Sequence, residues 1–154
     1  MTQNPDESHL TRAATLIAPY AESVTKAQDS RLDAKLPPDR LCEAVAAIDT
    51  AGWGYLSTIT GLDHTDRFEV LYHFCEGGDI LTLRVSLPHE RPAVPTLCAI
   101  IPSALLQERE LHEMFGIEVI DIPDASHLLL PDDWQAGVYP LRKDTGSTGG
   151  NDKQ

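Results

Sequence analysis

Two strands and the turn between them can be read directly from the middle of this chain. Phe68, Val70, Tyr72 and Phe74 take alternate positions, Gly77-Gly78 interrupts, and Leu81, Leu83, Val85 and Leu87 alternate again. A period of two places every second side chain on one face of a strand, whereas a helix would scatter these residues around its axis. Paired glycines supply the positive φ angles of the tight turns that match strand twist. The stretch is therefore an antiparallel hairpin with one apolar face. Thr82, Arg84 and Ser86 fall on the other face, so that side is at least partly wet. The rest of the chain must supply a cover for the apolar side.

Three segments have the spacing to provide it. Leu10, Ala13, Ala14 and Ile17 mark one face of a short helix over His9 to Ala18, which Pro19 disturbs. Pro37-Pro38-Asp39 suits a helix start, Leu41, Val45 and Ile48 form its buried face, and Gly52 ends it. Pro102 opens a third helix that Gly116 stops, with Leu105, Leu106, Leu111, Met114 and Phe115 as its apolar positions. Tyr55 to Thr60 and Ile117 to Ile122 read as further strands, and Pro95 as the start of a turn of helix. The polar stretch Glu22 to Lys35 reads as a linker. The expected fold is α+β, a small mixed or antiparallel sheet with helices packed on one face and an extended C-terminal segment. It divides into an N-terminal helix and linker (1–35), a core domain (36–122), a partner-binding segment (123–145) and a Gly/Ser/Thr-rich disordered tail (146–154).

Composition removes several classes of function. With 154 residues, 42% of them hydrophobic, the chain can bury a core without disulfides or a structural metal. Twelve Lys and Arg against 24 Asp and Glu leave a net charge of −12, which repels phosphate, and no basic run exceeds Arg142-Lys143. Nucleic-acid binding is thereby excluded. The longest apolar stretch, Val94 to Leu106, is broken by Pro95, Pro102 and Ser103 and falls short of the ~20 residues a spanning helix needs. Any membrane association would run through partner subunits. Cys42, Cys75 and Cys98 stand apart, which points to reduced thiols in a cytosolic compartment. Three thiolates are also one too few for an iron–sulfur cluster.

Catalytic patterns are missing where they would be sought. His112-Glu113 begins a zinc-binding helix motif, but Gly116 occupies the place of the second histidine. His64, His73, His89 and His127 lack ligand spacing, and there is no glycine-rich phosphate loop or nucleophile elbow. Asp132-Asp133 after a proline fits turn chemistry better than an acid–base pair. Glu108-Arg109-Glu110 has two open readings, a solvated helix face or Arg109 in a desolvated, bidentate pair that fixes the helix against the following loop or a partner.

Three ordered motifs remain. They are Glu108-Arg109-Glu110-x-x-Glu113-Met114-Phe115-Gly116-Ile117, Leu130-Pro131-Asp132-Asp133-Trp134 and Pro140-Leu141-Arg142-Lys143-Asp144. Together they resemble the family of the hydrophilic thirty-kilodalton subunit of complex I, the NADH:quinone oxidoreductase. That family includes the equivalent small subunits of energy-converting membrane-bound nickel–iron hydrogenases. The resemblance covers roughly residues 36–145. It departs from the quinone-reductase branch at Asp121 to His127, where no arginine pair stands. His112 and the Trp134-to-Pro140 spacing look more like the hydrogenase branch.

The resemblance implies a non-catalytic assembly subunit without cofactor, peripheral on the cytoplasmic face of a membrane. It would dock on a large catalytic subunit beside the subunit holding the proximal iron–sulfur cluster, with the nickel–iron or quinone site in those partners. Glu108, Arg109 and Glu110 would then fix the helix and its loop. Asp132, Asp133 and Trp134 would shape the first contact, Tyr139 would join it, and Arg142 and Lys143 would pair with acids on the large subunit. A free-standing metal- or carboxylate-dependent enzyme and an independent acidic binding module remain as alternatives.

Overall fold

The computed structural model describes residues 8–143. The expected hairpin is present as β4 (Phe68–Glu76) and β5 (Asp79–Leu87), antiparallel, with Phe68 opposite Leu87, Val70 opposite Val85, Tyr72 opposite Leu83 and Phe74 opposite Leu81. Gly77 takes φ 59° at the turn, the left-handed conformation the sequence calls for. The strand β3 (Tyr55–Asp63) pairs antiparallel to β4 and forms one edge of the sheet.

Three helices cover the apolar face: α1 (His9–Ile17), α2 (Leu41–Thr50) and α3 (Leu105–Phe115). From α1, Ala13 and Ile17 are fully buried. Trp53, also fully buried, donates its indole N–H to the His9 carbonyl at 2.9 Å, and Arg12 donates to the Ala51 carbonyl at 2.6 Å. These two bonds tie α1 to the end of α2, so the N-terminal helix is part of the core. The third helix crosses β3 at Gly61, where any Cβ would collide with the side chains of Phe115 and Leu111. The absent side chain is what allows that close approach.

Two expectations are corrected. Glu22 to Lys35 is not a linker: it holds β1 (Ser23–Gln28) and β2 (Arg31–Leu36), an antiparallel pair. The apolar residues of β2 do alternate, and Leu32, Ala34 and Leu36 are buried, but β1 is an exposed polar edge strand with almost no apolar signal. The second strand then pairs parallel to β5, giving a mixed five-stranded sheet in the order β1-β2-β5-β4-β3. That neighbour lies a whole crossover away in sequence, beyond the reach of local pattern. Likewise Pro95 ends a short strand rather than starting a helical turn. The strand β6 (Ala93–Pro95) pairs parallel with β7 (Glu118–Ile120) beside α3.

The uncovered face of the sheet carries a charge ladder. Arg84 donates to both Glu69 oxygens at 2.9 Å and to Asp33 at 2.9 Å, while His64 sits 3.1 Å from Glu69. The Arg84 hydrogen bonds hold the Glu69 carboxyl below the usual carboxylate range, against the opposing effect of burial.

The α3 surface and its C-terminal strap

Successive residues of a helix point about 100° apart, so three charged neighbours in a row cannot serve one partner. Glu108, Arg109 and Glu110 point three ways. Glu108 turns inward and is 1% exposed. One carboxylate oxygen accepts the Leu97 N–H at 2.6 Å; the other accepts the Thr96 hydroxyl at 2.6 Å and the Cys98 thiol at 3.3 Å. The acid therefore pins the chain entering α3 against the helix. The Cys42 thiol is pushed up by burial and by the Glu108 charge, and the buried Tyr72 phenol moves up for the same two reasons.

Arg109 faces the chain that follows. It donates to the Ser126 carbonyl and hydroxyl at 3.0 and 2.9 Å and to the His127 carbonyl at 2.8 Å, with Asp124 at 3.5 Å. Its side chain is only 13% exposed, so of the sharper reading the desolvation and the contact with the following loop hold, but the bidentate pair does not. The bonds go mainly to neutral oxygens, not to a bidentate carboxylate. Glu110 faces solvent.

One turn beyond Arg109, Glu113 completes the grip. Its carboxylate accepts the backbone N–H groups of Leu128, Leu129 and Leu130 at 3.1, 2.9 and 3.0 Å, and His127 Nδ1 lies at 2.8 Å. Burial alone would raise its pKa, but these bonds to the ionised form hold it below the ordinary value. Glu113 is the principal residue that sequence reasoning left off its site. It belongs to the first motif, but nothing in the spacing shows that an acid one turn from Arg109 meets three consecutive amides.

The end of α3 is built the same way. Gly116 caps the helix with φ 65°, and a Cβ there would run into the Tyr139 ring. Leu141 N–H donates to the Met114 carbonyl at 3.1 Å. Arg142 donates to the Phe115 carbonyl at 2.6 Å and lies 4.5 Å from the Tyr139 ring centroid and 5.0 Å from that of Phe68. A cation at a helix C-terminus meets carbonyls left without intrahelical partners and the negative end of the dipole. Arg142, expected to face acids on a neighbour, is thus directed onto this chain's own helix. Lys143 ties in through its backbone, its N–H reaching Asp63 at 2.9 Å, while its side chain is exposed. Asp144, the last residue of the third motif, lies outside the described residues.

Between these two attachments the strap is exposed. Asp132 and Asp133 face solvent, and Trp134 is 38% exposed, its indole N–H closing a local turn onto the Val138 carbonyl at 2.8 Å. Leu129 and Leu141 are 60% and 52% exposed. The structure thus separates the expected site into Glu108, which fixes the chain before α3, anchors that hold the strap (Arg109, Tyr139, Arg142) and residues that it displays (Glu110, Asp132, Asp133, Trp134, Lys143). No helix among the described residues is long and apolar enough to cross a membrane.

The chain is similar to several known proteins. An NADH-quinone oxidoreductase subunit of Moorella thermoacetica is 32% identical over 114 residues, covering 71% of this chain and 76% of that protein. Formate hydrogenlyase subunit 5 of Escherichia coli is 40% identical over 65 residues, 42% of this chain but only 11% of the relative. The chain spans little more than half the length of several other NADH-quinone oxidoreductase relatives. Among solved structures, a chain of the membrane-bound sulfane sulfur reductase, an archaeal respiratory membrane complex, superposes with a TM-score of 0.75 at 25% identity, covering 88% of this chain and 82% of that one. The sequence matches the family described as the 30 Kd subunit of respiratory-chain NADH dehydrogenase over residues 34–151, a span that takes in both strap attachments. The chain belongs to that family of complex I 30-kDa subunits.

Proposed function

We propose that this chain is a non-catalytic assembly subunit of a complex-I-like membrane-bound oxidoreductase, and that it docks on the large catalytic subunit through residues 123–143. One observation carries this reading. The strap is fastened at both ends by buried or half-buried groups of α3, yet it shows Leu129, Trp134 and Leu141 to solvent. A segment held in shape with its apolar side chains outward has already lost much of its conformational freedom, which lowers the ordering cost of binding.

Electrons would pass through neighbours. The chain itself holds no redox group in this reading, and the iron–sulfur cluster and the nickel–iron or quinone site belong to the large subunit and its companion. Attachment to the membrane, on the cytoplasmic face, follows from those partners. Between the branches we favour an energy-converting hydrogenase-type complex over NADH:quinone oxidoreductase. Support comes from the 40% identity to a segment of formate hydrogenlyase subunit 5, together with the likeness to a chain of the sulfane sulfur reductase complex.

The test is to tag the full-length chain, solubilise membranes gently and identify what co-purifies. A nickel–iron large subunit and its iron–sulfur partner are the expected result. A flavin-bearing NADH module would select the other branch. A lone chain carrying a stoichiometric redox group, or turning over substrate unaided, would overturn the proposal. Within the same preparation Trp134→Ala is expected to weaken assembly by about 2 kcal/mol or more, the size of an aromatic anchor. Melting of the isolated chain should hardly change, because the ring is partly exposed and bonds only within its own turn.

A further inference from the structure

Glu110 is the acid of its motif that this chain leaves unused, and it stands at the wall of a groove. The groove has a volume of about 270 Å³ and runs between α3 and the edge strand β3, with Thr58, Thr60, Gln107, Glu110, Met114 and Leu141 among its lining. Its chemistry is one-sided. Its polar side chains are one carboxylate, two hydroxyls and the Gln107 amide, its flanks include the flexible Met114 and Leu141, and no lysine, arginine or histidine lines it.

The arginines closest in sequence are directed elsewhere. Arg109 reaches across to Ser126 and His127, and Arg142 donates to the Phe115 carbonyl. Among the described residues the Glu110 carboxylate meets no hydrogen-bond donor or cation. Strand addition to β3 is blocked at this point as well, because Gln107 Oε1 already accepts the outward Ile59 N–H at 2.5 Å. What fits such a space is a single long side chain with an apolar stem and a positive end.

We propose that the groove receives a lysine or arginine side chain of the docking partner, its stem against Met114 and Leu141 and its charge on Glu110 and the Thr58 and Thr60 hydroxyls. The inference rests on the docking reading above and deepens it: the partner surface is cationic where it meets α3.

The experiment compares the tagged full-length chain with Glu110→Gln, Glu110→Lys and Trp134→Ala, scoring retention of the mass-spectrometrically identified large subunit over a salt series. Glu110 is exposed, so the isolated variants should melt like the parent. Glu110→Gln is expected to weaken retention roughly tenfold and to flatten its salt dependence, as loss of a charge pair should. Glu110→Lys should abolish retention by opposing like charges. Retention by Glu110→Lys equal to the parent, with Trp134→Ala still losing the partner, overturns the groove proposal and leaves docking intact. Full retention by all three overturns docking through this surface and the groove proposal with it.

Discussion

Replacing Glu108 by alanine is expected to destabilise the fold by about 2–5 kcal/mol, because it strands buried donors and not merely a charge. The Leu97 N–H is buried, and its acceptor is one Glu108 oxygen at 2.6 Å; the Thr96 hydroxyl has the other oxygen at the same distance. Alanine provides neither acceptor and leaves a space that water enters only at the cost of opening the α3 packing. Glu108→Gln keeps one oxygen and should fall between alanine and the parent. Denaturant titration of the isolated chain gives the answer. A loss below about 1 kcal/mol for the alanine variant would mean that the carboxylate is hydrated and that this account of it is wrong.

Glu113→Ala should act on the strap more than on the core. Three consecutive amides, Leu128 to Leu130, converge on that carboxylate, and charge-assisted bonds of this kind contribute about 1.5–3 kcal/mol each before rehydration. Leu128 and Leu130 are half-buried and Leu129 is exposed, so water recovers part of the loss. A net cost of about 2–4 kcal/mol is therefore expected, concentrated in residues 124–138. Hydrogen exchange should show those amides losing protection while the Phe68–Leu87 hairpin keeps its own.

The same carboxylate sets an acid limit. Its folded pKa lies below the unfolded value, so the folded state favours the ionised form. Its stabilisation is complete above the ordinary carboxylate range and disappears as the pH falls through the lower, folded value. Strap protection should thus persist through the range where exposed carboxylates titrate and fail only on further acidification. Failure at or above the ordinary value would contradict the assigned bonds.

Much of the sheet and all three helices are legible in the residues themselves. The alternation around Gly77-Gly78 predicts β4 and β5, and Pro38, Gly52, Pro102 and Gly116 bracket two helices close to where they stand. These signals act within one or two turns of chain, so no tertiary partner is needed to read them. The strands β1 and β2 both escaped: β1 is an exposed edge strand that buries almost nothing, and the place of β2 depends on its meeting β5 far along the chain. The short strand β6 escaped because three residues ending in proline carry no period.

The candidate site divides along the same line. The sequence by itself determined which charged, aromatic and turn-forming residues this region holds and in what order, since residue types and spacings can be counted. Only the tertiary structure decided direction: Glu108 into the core, Arg109 and Glu113 onto the strap, Arg142 onto the end of its own helix, and Glu110 outward to a groove. Each of those choices depends on an acceptor or amide at least ten residues away along the chain, or on a rotation of 100° about a helix axis. A linear spacing carries the first kind of information and not the second, because which carbonyl stands opposite a side chain is fixed by packing.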